Sequence, residues 1–220
     1  MEQDFESFLR PTRFIDFEHE SISSLVRDLI RASDSPRIRA QKLFYFVRDK
    51  IRYDPFVPML DPEDYEASTT LKRCAGACIQ KAVLLAALSR SAGIPCKLCF
   101  ADIRSQIVPA ELLKLLGTNL FTHHGYNSLF LDQKWVKAAP TFDLAMCEKY
   151  SYLPVEFDGT VDAVLPPVDR AGNKHIEYVR HIGEFADLPL EKILKAFEDV
   201  YCSINPRFME LWRAHSKKVK

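Results

Sequence analysis

The sequence predicts an α+β fold, with helices and strands in separate runs rather than in alternation. Three stretches carry that prediction. Residues 82–88 are all apolar and are followed by Gly93-Ile94-Pro95, which describes a helix sunk in a core and stopped by a left-handed cap and a proline. Residues 126–131 and 134–138 alternate around Asp132-Gln133, the pattern of an antiparallel hairpin. Amphipathic runs stand on either side of these segments, at 21–31, 36–51 and 190–201.

Taken in order, residues 1–19 mix aromatic and charged side chains without helical period, and Pro11 breaks any continuation, so an extended arm is expected. Ile22, Leu25, Val26, Leu29 and Ile30 form the inner stripe of the first helix. Ser35-Pro36 supplies a cap and a proline at the first position of the second, whose buried face runs through Leu43, Phe44, Val47 and Ile51. A loop punctuated by Pro55, Pro58 and Pro62 follows, readable as the wall of a cleft or as a plain connection. Beyond the apolar helix, 96–103 reads as a strand and 109–116 as a short helix between Pro109 and Gly117. Residues 154–173 are a loop-rich crossing, 176–182 a returning strand, and Asn205-Pro206 opens a last helix with Phe208, Met209, Leu211 and Trp212. The organisation expected is one domain over 1–220, with a core at about 20–185 and a C-terminal helical extension at about 188–220.

Composition narrows the functional classes. The chain of 220 residues is 47% hydrophobic and 27% charged, enough to bury a full core. Thirty basic and thirty acidic residues cancel, so no footprint for nucleic acid or an anionic membrane appears. No apolar stretch approaches the roughly 20 residues of a membrane helix. Glu2, Asp4 and Glu6 do not suit a leader, and a cytoplasmic location is expected, with the basic end Lys217-Lys218-Val219-Lys220 as a solvated tail. A reducing compartment would keep the six cysteines as thiols. Cys74 and Cys78 are spaced C-x3-C, and Cys96 and Cys99 C-x2-C, which raises a zinc reading. The first pair enters a buried helix and the second lies in an apolar strand without histidine partners, so no metal or organic cofactor is expected; calcium has no acidic loop here.

The chemistry-bearing stretch is Gly76-Ala77-Cys78, where a turn delivers a cysteine to a helix start. Unpaired backbone N–H groups there favour a thiolate, the nucleophilic form. The bland alternative is a small buried hydrophobe. A base is needed next, and His124, entering a strand of the sheet, is the best placed. His123 adjoins it. In an extended strand neighbours point to opposite faces, so only one of the two should meet Cys78. His19, His175, His181 and His215 have no comparable context, and Trp135 reads as core filling.

Gly76-Ala77-Cys78, Lys81-Ala82, Leu84-Leu85-Ala86-Ala87-Leu88, Arg90 and Ala92-Gly93-Ile94-Pro95 resemble the nucleophile helix of the transglutaminase-like superfamily. His124-Gly125-Tyr126 and Trp135-Val136-Lys137-Ala138-Ala139-Pro140-Thr141 resemble its histidine strand and the strand after it. The likeness extends over residues 10–200 or so, nearest to bacterial single-domain members. It implies a papain-like, transglutaminase-core fold, with the nucleophile helix packed on an antiparallel sheet between N- and C-terminal helices. It implies Cys-His-Asp chemistry: cysteine-dependent acyl transfer on a protein or peptide amide through a thioester, as protease, amidase, deamidase or transamidase. A catalytically silent binding or scaffold domain is the alternative.

One departure stands out. Many members carry an acid before Pro-Thr, where this chain has Ala139. If Leu131 pairs with Lys134 across the turn, Tyr126 faces Ala139 and His124 faces Thr141, so Ala139, Thr141 and Asp143 share the His124 side. Asp143 is then the nearest acid of correct parity for orienting His124, provided the chain stays extended past Pro140. A backbone carbonyl or Asn127 are the other candidates.

Overall fold

Helix α1 (Glu20–Leu29) is capped by His19, whose ring nitrogen accepts from the Ser21 N–H, so a histidine without expected function has a structural one. Helix α2 (Pro36–Lys50) follows, its start held by the Ser35 hydroxyl, which accepts from the Ile38 N–H. The structure is a computed structural model and describes residues 5–216; the basic end and the side chain of His215 lie outside the described residues. Strand β1 (Arg52–Tyr53) leads into the proline-rich loop, after which comes a helix the periodicity does not reveal, α3 (Ala67–Arg73). Seven residues with two threonines give no readable stripe. Strand β2 (Ala75–Gly76) pairs parallel with β1, and α4 (Cys78–Ser91) begins with Cys78 as its first residue.

Although every residue from Ile79 to Arg90 is buried, the polar ones are satisfied in ways that fix the start of α4. The Gln80 side chain accepts from the Ala77 N–H at 2.9 Å and donates to the carbonyls of Pro58 and Asp64, both at 2.9 Å. The Lys81 ammonium donates to the carbonyls of Arg48 at 3.1 Å and Ile51 at 2.6 Å, closing the end of α2, and burial lowers its pKa to about 7.

The sheet consists of β3 (Cys96–Ser105), β4 (Leu120–Leu131), β5 (Lys134–Ala138) and β6 (Ile176–Phe185), with α5 (Ala110–Leu116) between β3 and β4 and α6 (Leu144–Lys149) after β5. Strand order is β5-β4-β3-β6 and every pair is antiparallel. This is the expected α+β architecture, helices packed on an antiparallel sheet. Leu131 does face Lys134, and Asp132 and Gln133 take left-handed φ of 46° and 65°, as a primed two-residue turn requires. The C-terminal segment is α7 (Leu190–Phe197), a π turn over Glu198–Cys202 and α8 (Phe208–Ser216). It is tied to the sheet where the Tyr201 hydroxyl accepts from the Thr122 N–H at 3.0 Å. Among the described residues no helix is long and apolar enough to cross a membrane.

Helix α4 sits on one face of β4. The Asn127 amide donates to the Ala82 carbonyl at 2.9 Å, and a Cβ at Gly125 would lie 2.9 Å from the Ile79 Cα and 3.4 Å from the Cys78 carbonyl oxygen. Gly125 is needed for space, since rigid backbone is what a methyl would meet. Gly125→Ala is therefore expected to cost about 1–3 kcal/mol of stability, measured by chemical denaturation; an unchanged midpoint would mean that α4 can shift freely off the strand.

Candidate active site

Strand β4 does not run straight into the site. Ala101 faces His124 and Ile103 faces Phe121, so β4 has two residues where β3 has one. The bulge is at Thr122-His123, with His123 at a left-handed φ of 55°. Asp102 holds it: one carboxylate oxygen accepts from the Thr122 hydroxyl at 2.9 Å and the His123 N–H at 3.2 Å, while the other accepts from Arg180 at 2.7 Å. The His123 ring Nδ1 shares the Thr122 hydroxyl at 2.9 Å. The expectation that His123 and His124 face opposite ways assumed an unbroken strand, and the left-handed residue removes that premise.

Two small cavities, of about 40 and 50 Å³, share Tyr53, Cys78, Leu112, Phe121 and His124 as walls. The first also has Thr141, the second His123. Cys78 is partly exposed and His124 is buried. The His124 ring lies 6.1 Å from that of Tyr126 and 6.0 Å from that of Tyr178. Among the described residues its buried Nε2 has no hydrogen-bond partner, and the Thr141 hydroxyl is in the same condition.

Burial alone pushes His124 down to about pKa 3, with no carboxylate acting against it. Burial also raises the Cys78 thiol above its ordinary range, although the N–H groups of Gly125, Ile79 and Cys78 itself pull the other way. The helix start thus favours the thiolate as expected, but desolvation outweighs it. Both shifts favour the neutral forms, a thiol and an imidazole.

Asp143 is placed differently from its sequence expectation. Its carboxylate accepts from the Tyr53 N–H at 2.6 Å and the Met146 N–H at 2.8 Å, capping α6. Among the described residues no hydrogen bond joins it to His124. The chain leaves the hairpin after Ala138, one residue before the expected Tyr126–Ala139 pair: the Ala139 N–H goes instead to the Ala163 carbonyl at 2.8 Å. Asn127 points its amide at Ala82 and, at 3.5 Å, at the Cys96 sulfur, on the α4 side. The geometry therefore gathers Cys78, His124 and Thr141 around one cavity. Thr141 reaches the cavity although the expected cross-strand pair of Thr141 with His124 does not form, pairing with β4 ending at Ala138; the bulge-forming Asp102 has no sequence signal.

Cys96 and Cys99 are both buried on β3 and, three residues apart, project from opposite faces. Among the described residues no group of three His, Cys, Asp or Glu could hold a metal ion.

Residues 23–140 match the transglutaminase-like superfamily, a span that includes Cys78 and His124 and ends before Asp143. No curated protein matches the chain. A candidate cysteine protease from Cytophaga hutchinsonii is similar in structure at 14% identity with a TM-score of 0.49, over 81% of this chain and 64% of that protein. A candidate protease from Parabacteroides distasonis is similar over 57% of this chain and 25% of its own, at 14% identity and a TM-score of 0.40.

Proposed function

This chain belongs to the transglutaminase-like superfamily, and from that premise we propose that it is a cysteine-dependent acyl-transfer enzyme acting on amides. The observation that carries this reading is that Cys78, first residue of α4, and the buried His124 wall the same two cavities. In the step proposed, the Cys78 thiol gives its proton to His124 as sulfur attacks the amide carbonyl. The C–N bond then breaks, His124 returns the proton to the departing amine, and a thioester is left. Water or a second amine resolves it, giving hydrolysis or transamidation. The N–H groups of Cys78, Ile79 and Gly125 that bear on the sulfur are suited to hold the oxyanion. The cytoplasm, where thiols stay reduced, suits the six free cysteines.

A second reading, a binding or scaffold domain without turnover, is favoured by the buried unpartnered Nε2 of His124 and by Ala139. A panel of peptide amides assayed for released amine or ammonia separates the two. Turnover that depends on Cys78 supports the enzyme, and its absence across the panel supports the scaffold.

These shifts have a pH signature. A raised thiol pKa means less thiolate at neutrality, so alkylation of Cys78 by iodoacetamide is expected to keep rising with pH beyond the ordinary thiol value of 9.0. A rate plateau across about pH 4–7, the mark of a thiolate–imidazolium pair, would overturn that expectation. Peptide mapping by mass spectrometry isolates the Cys78 rate from those of the other thiols.

Asp143 enters the proposal as a positioning residue, through Tyr53 and α6, which wall the site. Asp143→Ala is expected to cost about 1 kcal/mol of stability, the scale of a lost helix cap, and to lower turnover without moving the pH–rate profile. A shifted acidic limb would instead mean that its carboxylate acts on His124 directly.

A further inference from the structure

Among the described residues, the walls around Cys78 carry no acidic or basic side chain apart from the histidines, in either cavity. In the first cavity the polar groups are mostly spent. The Ser105 and Tyr152 hydroxyls both donate to the Ile107 carbonyl, at 2.9 and 2.8 Å. Cys78, His124, Thr141 and the Tyr53 hydroxyl are left with hydrogen-bonding capacity. Most of the remaining surface is apolar, including Ile103, Val108, Leu112, Phe121, Phe142 and Met146. At about 40 Å³ the space holds a few waters or one small group.

From these walls we infer that the acyl portion of the substrate seated beside Cys78 is small, uncharged and apolar, a short aliphatic group. This deepens the proposed function and rests on Cys78 as the nucleophile. A carboxylate or ammonium entering this cavity would lose its water and meet no counter-charge, whereas a short alkyl group gains contact with side chains of its own kind. The seating of the reacting carbonyl is a separate matter, served by the backbone N–H groups at the start of α4. Selectivity therefore comes from what the far wall refuses, which is charge.

Alkylation tests this without requiring turnover. The reagents are N-ethyliodoacetamide and N-(2-carboxyethyl)iodoacetamide, which share one warhead and differ in a single carboxylate. Each forms an S–C bond, expels iodide and releases the thiol proton. The exposed Cys74 serves as internal reference. The neutral reagent is expected to modify Cys78 faster than the carboxylate by on the order of 100-fold relative to their ratio at Cys74. Val108→Trp, which fills the cavity from a half-buried position, is expected to remove most of that preference. Equal relative rates at Cys78 and Cys74 would overturn the substrate class while leaving the thiol chemistry standing. Modification of Cys74 with none at Cys78 by either reagent would overturn both.

Discussion

Cys78→Ala is expected to abolish turnover and all labelling of α4 while leaving the unfolding midpoint close to that of the parent chain. The loss should span several orders of magnitude, because removing the nucleophile disables groups that act as a unit. Three of the other cysteines cannot substitute. Burial raises the thiols of Cys96 to about pKa 12 and Cys147 to about 11, and Cys99 higher still, so none supplies thiolate near neutrality. Cys74 is exposed and Cys202 partly so, but neither walls the Cys78 cavities. The fold should tolerate the change because the side chain is small and partly exposed, and the N–H of Ala77 and the carbonyls of Pro58 and Asp64 are satisfied by Gln80 rather than by the sulfur. Full activity in the alanine variant would remove Cys78 from the mechanism.

His124→Ala is expected to lower kcat by roughly 100-fold or more, the scale on which positioned acid–base groups act. The control at the neighbouring position needs a residue that accepts left-handed backbone, so His123→Asn is the informative change, with alanine adding strain at a φ of 55°. His123→Asn is expected to leave kcat within about threefold of the parent, because its ring Nδ1 is already engaged with Thr122 in the Asp102 network. The reverse order of effects would assign the base to His123, which also walls the second cavity. Measuring kcat and KM separately distinguishes a lost proton carrier from a damaged wall.

The parts of this architecture written locally could be read from the residues, and the parts written by distant partners could not. The hairpin register followed from Asp132-Gln133 and alternation, and the start and stop of α4 from Gly76, Gly93 and Pro95. The bulge before His124 depends on Asp102, a carboxylate on another strand, and no pattern within 120–124 announces it. Asp143 had the correct parity for an orienting acid, yet a carboxylate followed by a short helix finds its nearest unpaired donor in that helix. Local capping took the side chain that a strand-based count had assigned to His124. Helix α3 escaped for a related reason, since seven residues closed by Cys74 at a φ of 52° leave neither a stripe nor a glycine to mark them.

The docking of the C-terminal segment has an optical consequence. The chain contains two tryptophans. Trp212 donates to the Val57 carbonyl at 3.4 Å and forms part of the second cavity wall. Trp135 lies far along the sheet, its ring 5.4 Å from that of Phe130 and under the Lys97 ammonium at 4.0 Å. Replacing Trp135 by phenylalanine would leave a single indole, placed beside the groups proposed to react. Its emission would then follow the polarity of that wall, so that arrival of a molecule next to Cys78 is read as a change in colour or brightness, equally well if the thiol turns the molecule over or only holds it.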